Sequence, residues 1–311
     1  MSNATVRHLI STKDLTDDEL YALVERGAEF SGKAVRSGDQ LAGLVAGIHF
    51  LKTSTRTRTS FSAAALRLGA QLISFGPGDL QTNTGETLED TAEVLSRMLD
   101  LLVVRTAGDP AELRAFARQQ RMAVVNAMTA DEHPTQAIAD LTTLLSHFGK
   151  IEGLRVCYVG EGNNSAAALA LTLSRYREVH LELRTPTGYG LEPATLRQAQ
   201  LNARTSGASV TQVHSMDSAP AGFDVIYTTR WQTTGTNKPD PNWRDIFAPF
   251  QVTTALWDKS PDAVFLHDLP AHRGEDVTAE VLDGPHSLAF DQSENKMYAA
   301  MAVLEWCAAK R

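Results

Sequence analysis

The stretch Leu44-Val45-Ala46-Gly47-Ile48-His49-Phe50-Leu51 is apolar, and Lys52-Thr53-Ser54-Thr55-Arg56-Thr57-Arg58 follows it directly. The apolar run reads as a strand, and the polar segment leads into a helical pattern over Thr57–Leu68. The same alternation continues downstream along the chain. Strands are predicted at Gln71–Phe75, Leu101–Arg105 and Met122–Asn126, with helices at Glu86–Leu99 and Pro110–Arg121 between them. Asp109-Pro110 is a cap followed by a proline, a good helix start. Upstream, Thr16-Asp17-Asp18-Glu19 is a capping box, and Leu20, Leu23, Val24 and Ala28 form the stripe behind it. Such alternation predicts an α/β fold with parallel sheets and right-handed crossovers.

A long helix, Pro134–Phe148, separates this series from a second one. The second series has strands at Arg155–Val159, Val179–Arg184, Ser209–Val213, Asp224–Thr228 and Ala263–Leu266. Its helices are about Asn164–Tyr176, Pro193–Thr205 and Val252–Leu256, and the chain closes with a helix at about Glu294–Ala309. The expectation is two doubly wound parallel-sheet domains, with the last helix packing back on the first. At 311 residues the length suits two domains.

Composition narrows the function. There are 29 Lys and Arg against 37 Asp and Glu, a net charge of −8, so any bound anion needs a local cluster of basic groups. General binding of nucleic acid or of an anionic membrane is not expected. Two cysteines, Cys157 and Cys307, sit in apolar patterns and read as buried thiols. They allow neither a disulfide framework nor a cysteine zinc site. No signal core or membrane-length apolar run appears, so a soluble cytoplasmic protein is expected.

Ligands of parallel α/β sheets bind beyond the carboxyl ends of the strands. There the first half places Lys52–Arg58, Gly76–Thr84, Arg105 and His133-Pro134-Thr135-Gln136. Hydroxyls and backbone N–H groups at a helix N-terminus hold anions, and Arg56 adds a planar fork suited to phosphate. His133 can donate to a carbonyl oxygen that gains charge, and Gln136 reaches the same spot from one turn on. Each has a plainer alternative. Ser54–Arg58 could be a capped surface helix start, Arg105 a surface cation, His133 an N-cap and Gln136 a solvated side chain.

In the second half, Val159-Gly160-Glu161-Gly162-Asn163-Asn164-Ser165 approaches a dinucleotide fingerprint. Ser165 fills the third glycine's slot, and the next strand ends in Arg184-Thr185 without an acidic residue, so no nicotinamide cofactor is expected. Asn163 and Asn164 either orient a polar substrate or cap the helix. The loops Thr228–Gly235 and His267–Gly274 are substrate loops or ordinary polar loops. His267, Asp268 and His272 lack a zinc spacing, so no metal is expected.

Ser54-Thr55-Arg56-Thr57-Arg58 and His133-Pro134-Thr135-Gln136, at this spacing, resemble the two signature motifs of aspartate/ornithine carbamoyltransferases. The resemblance covers nearly the whole chain. Gly85-Glu86-Thr87-Leu88-Glu89-Asp90-Thr91 is similar to the aspartate branch, which carries a lysine where this chain has Thr84. Gly162-Asn163-Asn164, His267-Asp268-Leu269-Pro270 and Gln292-Ser293-Glu294-Asn295-Lys296 are similar to the ornithine branch. The arginine motif that holds aspartate in the other branch is not apparent.

The resemblance implies a carbamoyl-phosphate domain at 1–147, joined by the C-terminal helix at about 292–311, and an acceptor domain at 148–291. It implies a carbamoyl-phosphate site of Ser54, Thr55, Arg56, Thr57, Gln81, Arg105, His133, Gln136, Leu269 and Lys296. The acceptor would meet Asn164, Thr229, Arg230, Thr233, Thr234 and Asp268. Arg56, Arg105, His133 and Asp268 would take part in catalysis. A homotrimer with shared sites is implied, the Gln81–Thr84 loop reaching a neighbour, and no cofactor.

The departures gather in the acceptor set. The ornithine branch has an aspartate at the Thr229 position, a Ser-Met pair at Thr233-Thr234 and a cysteine at Asp268. It usually has an arginine at Lys296. Asp268 adds a negative charge where a cationic amine arrives, unless it is a structural carboxylate. The function expected is carbamoyl transfer from carbamoyl phosphate to an ornithine-like or shorter diamino acceptor. The alternatives are ornithine carbamoyltransferase proper, and a catalytically silent relative that binds or regulates.

Overall fold

The structure is a computed structural model that describes residues 6–33, 38–217, 221–233 and 236–309. The chain divides into two compact units, Met1–His147 with Glu294–Arg311, and Phe148–Ser293. The alternation seen in the sequence becomes one parallel sheet in each.

In the first unit the elements run α1 (Asp17–Lys33), β1 (Val45–Phe50), α2 (Arg56–Arg67), β2 (Gln71–Phe75), α3 (Leu88–Leu95), β3 (Leu101–Arg105), α4 (Pro110–Phe116), β4 (Ala123–Met128) and α5 (Pro134–Phe148). The predicted capping box forms, since Thr16 Oγ1 accepts from Glu19 N while Glu19 Oε2 accepts from Thr16 N. The sheet order is β2-β1-β3-β4, so the strand order reverses between β1 and β3. Phe50 lies opposite Arg105, which brings the segment after β1 and the end of β3 to one edge. β1, β3 and β4 are buried almost throughout, because helices cover both faces of a parallel sheet. α3 and α4 stop short of the predicted Leu99 and Arg121. The Gln119 amide oxygen accepts from Arg121 N and Met122 N, which turns the chain out of α4 and into β4.

In the second unit the elements are β5 (Arg155–Val159), α6 (Asn164–Leu173), β6 (His180–Arg184), α7 (Pro193–Ser206), β7 (Ser209–Val213), β8 (Val225–Thr228), α8 (Trp243–Phe247), β9 (Val264–His267) and α9 (Ala279–Leu282). The sheet order is β7-β6-β5-β8-β9, with its reversal between β5 and β8. One prediction is corrected here. The helix expected at Val252–Leu256 is a 3-10 turn at Thr254–Asp258, because Val252 is held extended in a bridge to Val277. α8 and α9, which the pattern did not announce, are single turns of helix.

The last helix, α10 (Ala289–Ala308), starts five residues before the predicted Glu294. From Glu294 on it belongs to the first unit, where Asn295 Nδ2 bonds Thr143 Oγ1 at 3.1 Å and Arg26 clamps Glu305 at 2.7 and 3.0 Å. Both cysteines are free and buried, and burial pushes the Cys307 thiol up to about 12. Among the described residues no helix is long and apolar enough to cross a membrane.

Candidate active site

The first unit gathers cations and donors at the carboxyl edge of its sheet. Thr55 precedes α2 without capping it, and the first turn of α2 carries no acidic residue. The N–H groups of a helix's first turn carry partial positive charge, which favours an anion there. Ser54 and Arg56 are half-buried, Thr55 is exposed and Thr57 is buried. Arg105 is buried, with Nη1 3.4 Å from Thr57 Oγ1 and 3.5 Å from His133 Nε2. His133 is buried too. Burial, then the charges of Lys296 and Arg105, hold it well below the usual histidine range, so it is neutral.

Gln136 bridges two charges. Its amide oxygen accepts from the Lys296 ammonium, and its Nε2 donates to Asp140 Oδ1 at 2.7 Å. Thr57, Arg105, His133, Gln136 and Lys296 thus form one buried cluster from β3, α2, α5 and α10. Gln81 is not in it; it is exposed on a short turn, where its amide oxygen accepts from Thr84 Oγ1 at 2.7 Å. Leu269 belongs to the second unit.

Two carboxylates that support this cluster escaped the sequence reading. Asp140 could have been found, since Gln136 and Asp140 are an i, i+4 pair. Glu132 could not, because its partners lie far away in the chain. Ser11 Oγ and Thr12 Oγ1 both donate to it, as does Thr12 N at 2.7 Å. It thereby ties the segment before α1 to the residue preceding His133.

The second unit gathers polar groups after β5, β8 and β9. Asn163 caps α6, its Oδ1 accepting from Ser165 N at 3.0 Å and Ala166 N at 3.1 Å. Its Nδ2 turns outward to Thr233 Oγ1 at 3.1 Å and Thr229 Oγ1 at 3.5 Å. Asn164 is buried in the first turn, and Arg230 is half-buried. Thr234 lies outside the described residues. Asp268 receives two hydroxyls, Thr229 Oγ1 on Oδ1 and Ser165 Oγ on Oδ2, each at 2.8 Å.

His267 is fully buried and has both ring nitrogens engaged. Leu269 N donates to Nδ1 at 2.8 Å, so Nδ1 carries no proton, and Nε2 donates to Asp276 Oδ2 at 2.8 Å. Although Asp268 Oδ1 is 3.7 Å from Nδ1, the ring presents a lone pair there rather than a charge. The Asp276–His267 pair therefore orients the backbone of Asp268 and Leu269. The glycine-rich turn has a packing reason of its own. A Cβ on Gly162 would stand 2.3 Å from the backbone of Gly190 and Leu191, so glycine is needed for the close approach of the 186–191 loop.

Both halves of the chain match one family. Residues 7–146 match the model described as aspartate/ornithine carbamoyltransferase, carbamoyl-P binding domain, and residues 152–307 match the one described as the Asp/Orn binding domain. The chain belongs to the aspartate/ornithine carbamoyltransferase family. Among its relatives, an ornithine carbamoyltransferase of Caldicellulosiruptor saccharolyticus is 37% identical over 302 residues, 96% of this chain and 97% of the relative. One of Pseudomonas syringae pv. tomato is 38% identical over 306 residues, 97% of each. The solved ornithine carbamoyltransferase of Pyrococcus furiosus superposes with a TM-score of 0.89 at 36% identity, covering 98% of this chain and 97% of that one. The two-sheet α/β architecture is that of the family, and the chain is a carbamoyltransferase.

Proposed function

We propose that this carbamoyltransferase moves the carbamoyl group of carbamoyl phosphate to the side-chain amine of ornithine, giving a ureido product and phosphate. The observation that carries the donor half is the buried cluster of Thr57, Arg105, His133, Gln136 and Lys296 at the N-terminal end of α2. In this reading Ser54, Thr55, Arg56 and Thr57 cradle the phosphate. Arg105 and the neutral His133 polarise the carbonyl oxygen, with Gln136 and Lys296 beside them. Gln81 reaches the donor only from a neighbouring subunit.

The neutral amine adds to the carbonyl carbon, and charge develops on the carbonyl oxygen, where Arg56, Arg105 and His133 stabilise it. The carbon–oxygen bond to phosphate then breaks, and the amine proton leaves with the phosphate. Alignment and electrostatics supply the rate gain without a covalent intermediate.

The departures at Thr229, Thr233-Thr234 and Asp268 point to an ornithine-like or shorter diamino acceptor. The structure offers a reason to favour ornithine itself. Asp268 accepts from the Thr229 hydroxyl at 2.8 Å, and in this reading its carboxylate stands in for the aspartate absent at Thr229. One carboxylate still serves that point, ready for an acceptor ammonium, with Asn164, Arg230, Thr233 and Thr234 completing the acceptor set. The names of the relatives support the same acceptor. The shift of that carboxylate from one strand end to the next favours a shorter diamino acid as the second reading.

A cytoplasmic homotrimer is part of the proposal. Leu66 on α2, Ile73 on the edge strand β2, and Val94 and Met98 on and after α3 are large apolar side chains left exposed, and they support a partner copy at the first unit. The test is incubation with carbamoyl phosphate and a panel of ornithine, diaminobutyrate, diaminopropionate and a plain diamine, reading ureido product and phosphate. Faster turnover of diaminopropionate than of ornithine would select the second reading. No ureido product from any amine would remove both.

A further inference from the structure

The loop after β8 returns a lysine into the second unit, at a place the transfer chemistry does not use. The Lys238 side chain is 1% exposed, and its ammonium lies 2.6 Å from Glu161 Oε1. Three aromatic rings box it, with centroids at 4.7 Å for Tyr189, 4.5 Å for Phe247 and 5.5 Å for Trp243. An ammonium on ring faces gains cation–π attraction, and more so once water is excluded. Burial lowers the affinity of Lys238 for its proton, and the Glu161 carboxylate opposes that loss. The box therefore holds a charged pair rather than a lone cation.

Glu161 has a second duty. Its other oxygen accepts from Thr233 Oγ1 at 2.9 Å. A hydroxyl has one proton, so Thr233 must meet Asn163 Nδ2 with a lone pair. That in turn fixes the Asn163 amide, with nitrogen toward the threonines and oxygen on the α6 N-terminus. Thr229 follows the same rule, accepting from Asn163 Nδ2 and donating to Asp268. A directed polar chain runs from Lys238 through Glu161, Thr233, Asn163 and Thr229 to Asp268. It has a carboxylate near each end. Lys238 neutralises one of them, while the hydrogen bonds that Asp268 receives among the described residues come from the hydroxyls of Ser165 and Thr229.

We propose that Lys238, paired with Glu161 inside the aromatic box, is a positioning and specificity-determining residue for the amine acceptor. It cancels the charge of Glu161, so that Asp268 alone attracts the acceptor ammonium, and it locks Thr233 and Asn163 in the orientation that faces the acceptor. This rests on the reading that the acceptor binds at Thr229, Thr233 and Asp268.

The test compares Lys238→Met, Glu161→Gln, the double variant and Thr233→Val, with ornithine, diaminobutyrate and diaminopropionate each as acceptor. Methionine suits an aromatic box, so Lys238→Met keeps its packing and exposes the Glu161 charge. Expected is a rise in acceptor KM of about tenfold, the scale of coupling between contacting residues. The KM for carbamoyl phosphate stays unmoved. Glu161→Gln, which leaves the cation unopposed, shifts acceptor KM in the same direction and serves if the first variant does not fold. The double variant is neutral at both positions and recovers most of the loss. Unchanged acceptor KM in both single variants, equal shifts in both KM values, or no recovery in the double variant overturns the proposal. Thr233→Val separates the two levels. A raised acceptor KM there with none in Lys238→Met removes the role of Lys238 alone, whereas no effect of Thr233→Val removes the placement of the acceptor as well.

Discussion

Replacing Glu132 by alanine tests how the donor cluster is held in place. Glu132 is buried directly before His133, and three donors converge on its carboxylate, two hydroxyls and the backbone N–H of Thr12. Alanine removes the acceptor for all three while they stay buried. At about 1 kcal/mol for each lost bond, the cost is about 3 kcal/mol. Urea denaturation at neutral pH reads it as a lowered midpoint. The same variant releases the turn before His133, so kcat/KM for carbamoyl phosphate should fall about tenfold or more. Glutamine separates the hydrogen bonds from the charge. Burial, the largest influence on Glu132, pushes its carboxyl above the usual range despite the donors. Between the unfolded and the folded pKa the folded state binds more protons, so stability falls as pH rises through that window. Glu132→Gln keeps an amide oxygen for the two Thr12 donors and turns its NH2 to the Ser11 hydroxyl, which can accept, so it should be clearly more stable than Glu132→Ala and lack that pH dependence. An alanine variant within about 0.5 kcal/mol of wild type, the range of an ordinary surface change, would refute the reasoning. A glutamine variant as weak as alanine would refute it equally.

Arg56→Ala should lower turnover by at least about 100-fold, the scale of losing one oxyanion contact, and steady-state phosphate release measures it. Lys296→Met removes one of the charges that hold His133 down, so His133 takes its proton at higher pH. The acid limb of kcat/KM for carbamoyl phosphate should then move to higher pH, and an unmoved limb counts against that role. Asp268→Asn should raise the KM of the acceptor well above any change in that of the donor; equal changes would make Asp268 structural. Gly162→Ala drives a methyl into the backbone of Gly190 and Leu191 and should cost about 1–3 kcal/mol, read by thermal unfolding.

Much of the fold was legible because its signals are local. The strands Gln71–Phe75, Leu101–Arg105, Arg155–Val159 and Ser209–Val213 and the helix Pro134–Phe148 have the bounds that apolar runs, proline starts and caps predict. Val252 failed because an extended residue bridged to Val277 carries no local mark. In the site, Arg105 was legible as a cation at a strand end and His133 as a donor at a helix start. Glu132, Asp276 and Lys238 were not, since their importance lies in which buried groups they meet.

The sequence by itself determined the class of protein. Alternating apolar periods dictate parallel sheets, and the carboxyl ends of those strands carry the hydroxyls, arginines and histidine that a phosphate donor needs. Only the tertiary structure decided how those groups pair. It joined Ser11 to Glu132 across 121 positions, Gln136 to Lys296 across 160 and Thr229 to Asp268 across 39. The physical reason is that hydrogen bonds and buried charges are settled by distance and desolvation in three dimensions, while sequence patterns report only the nearest turns of the chain.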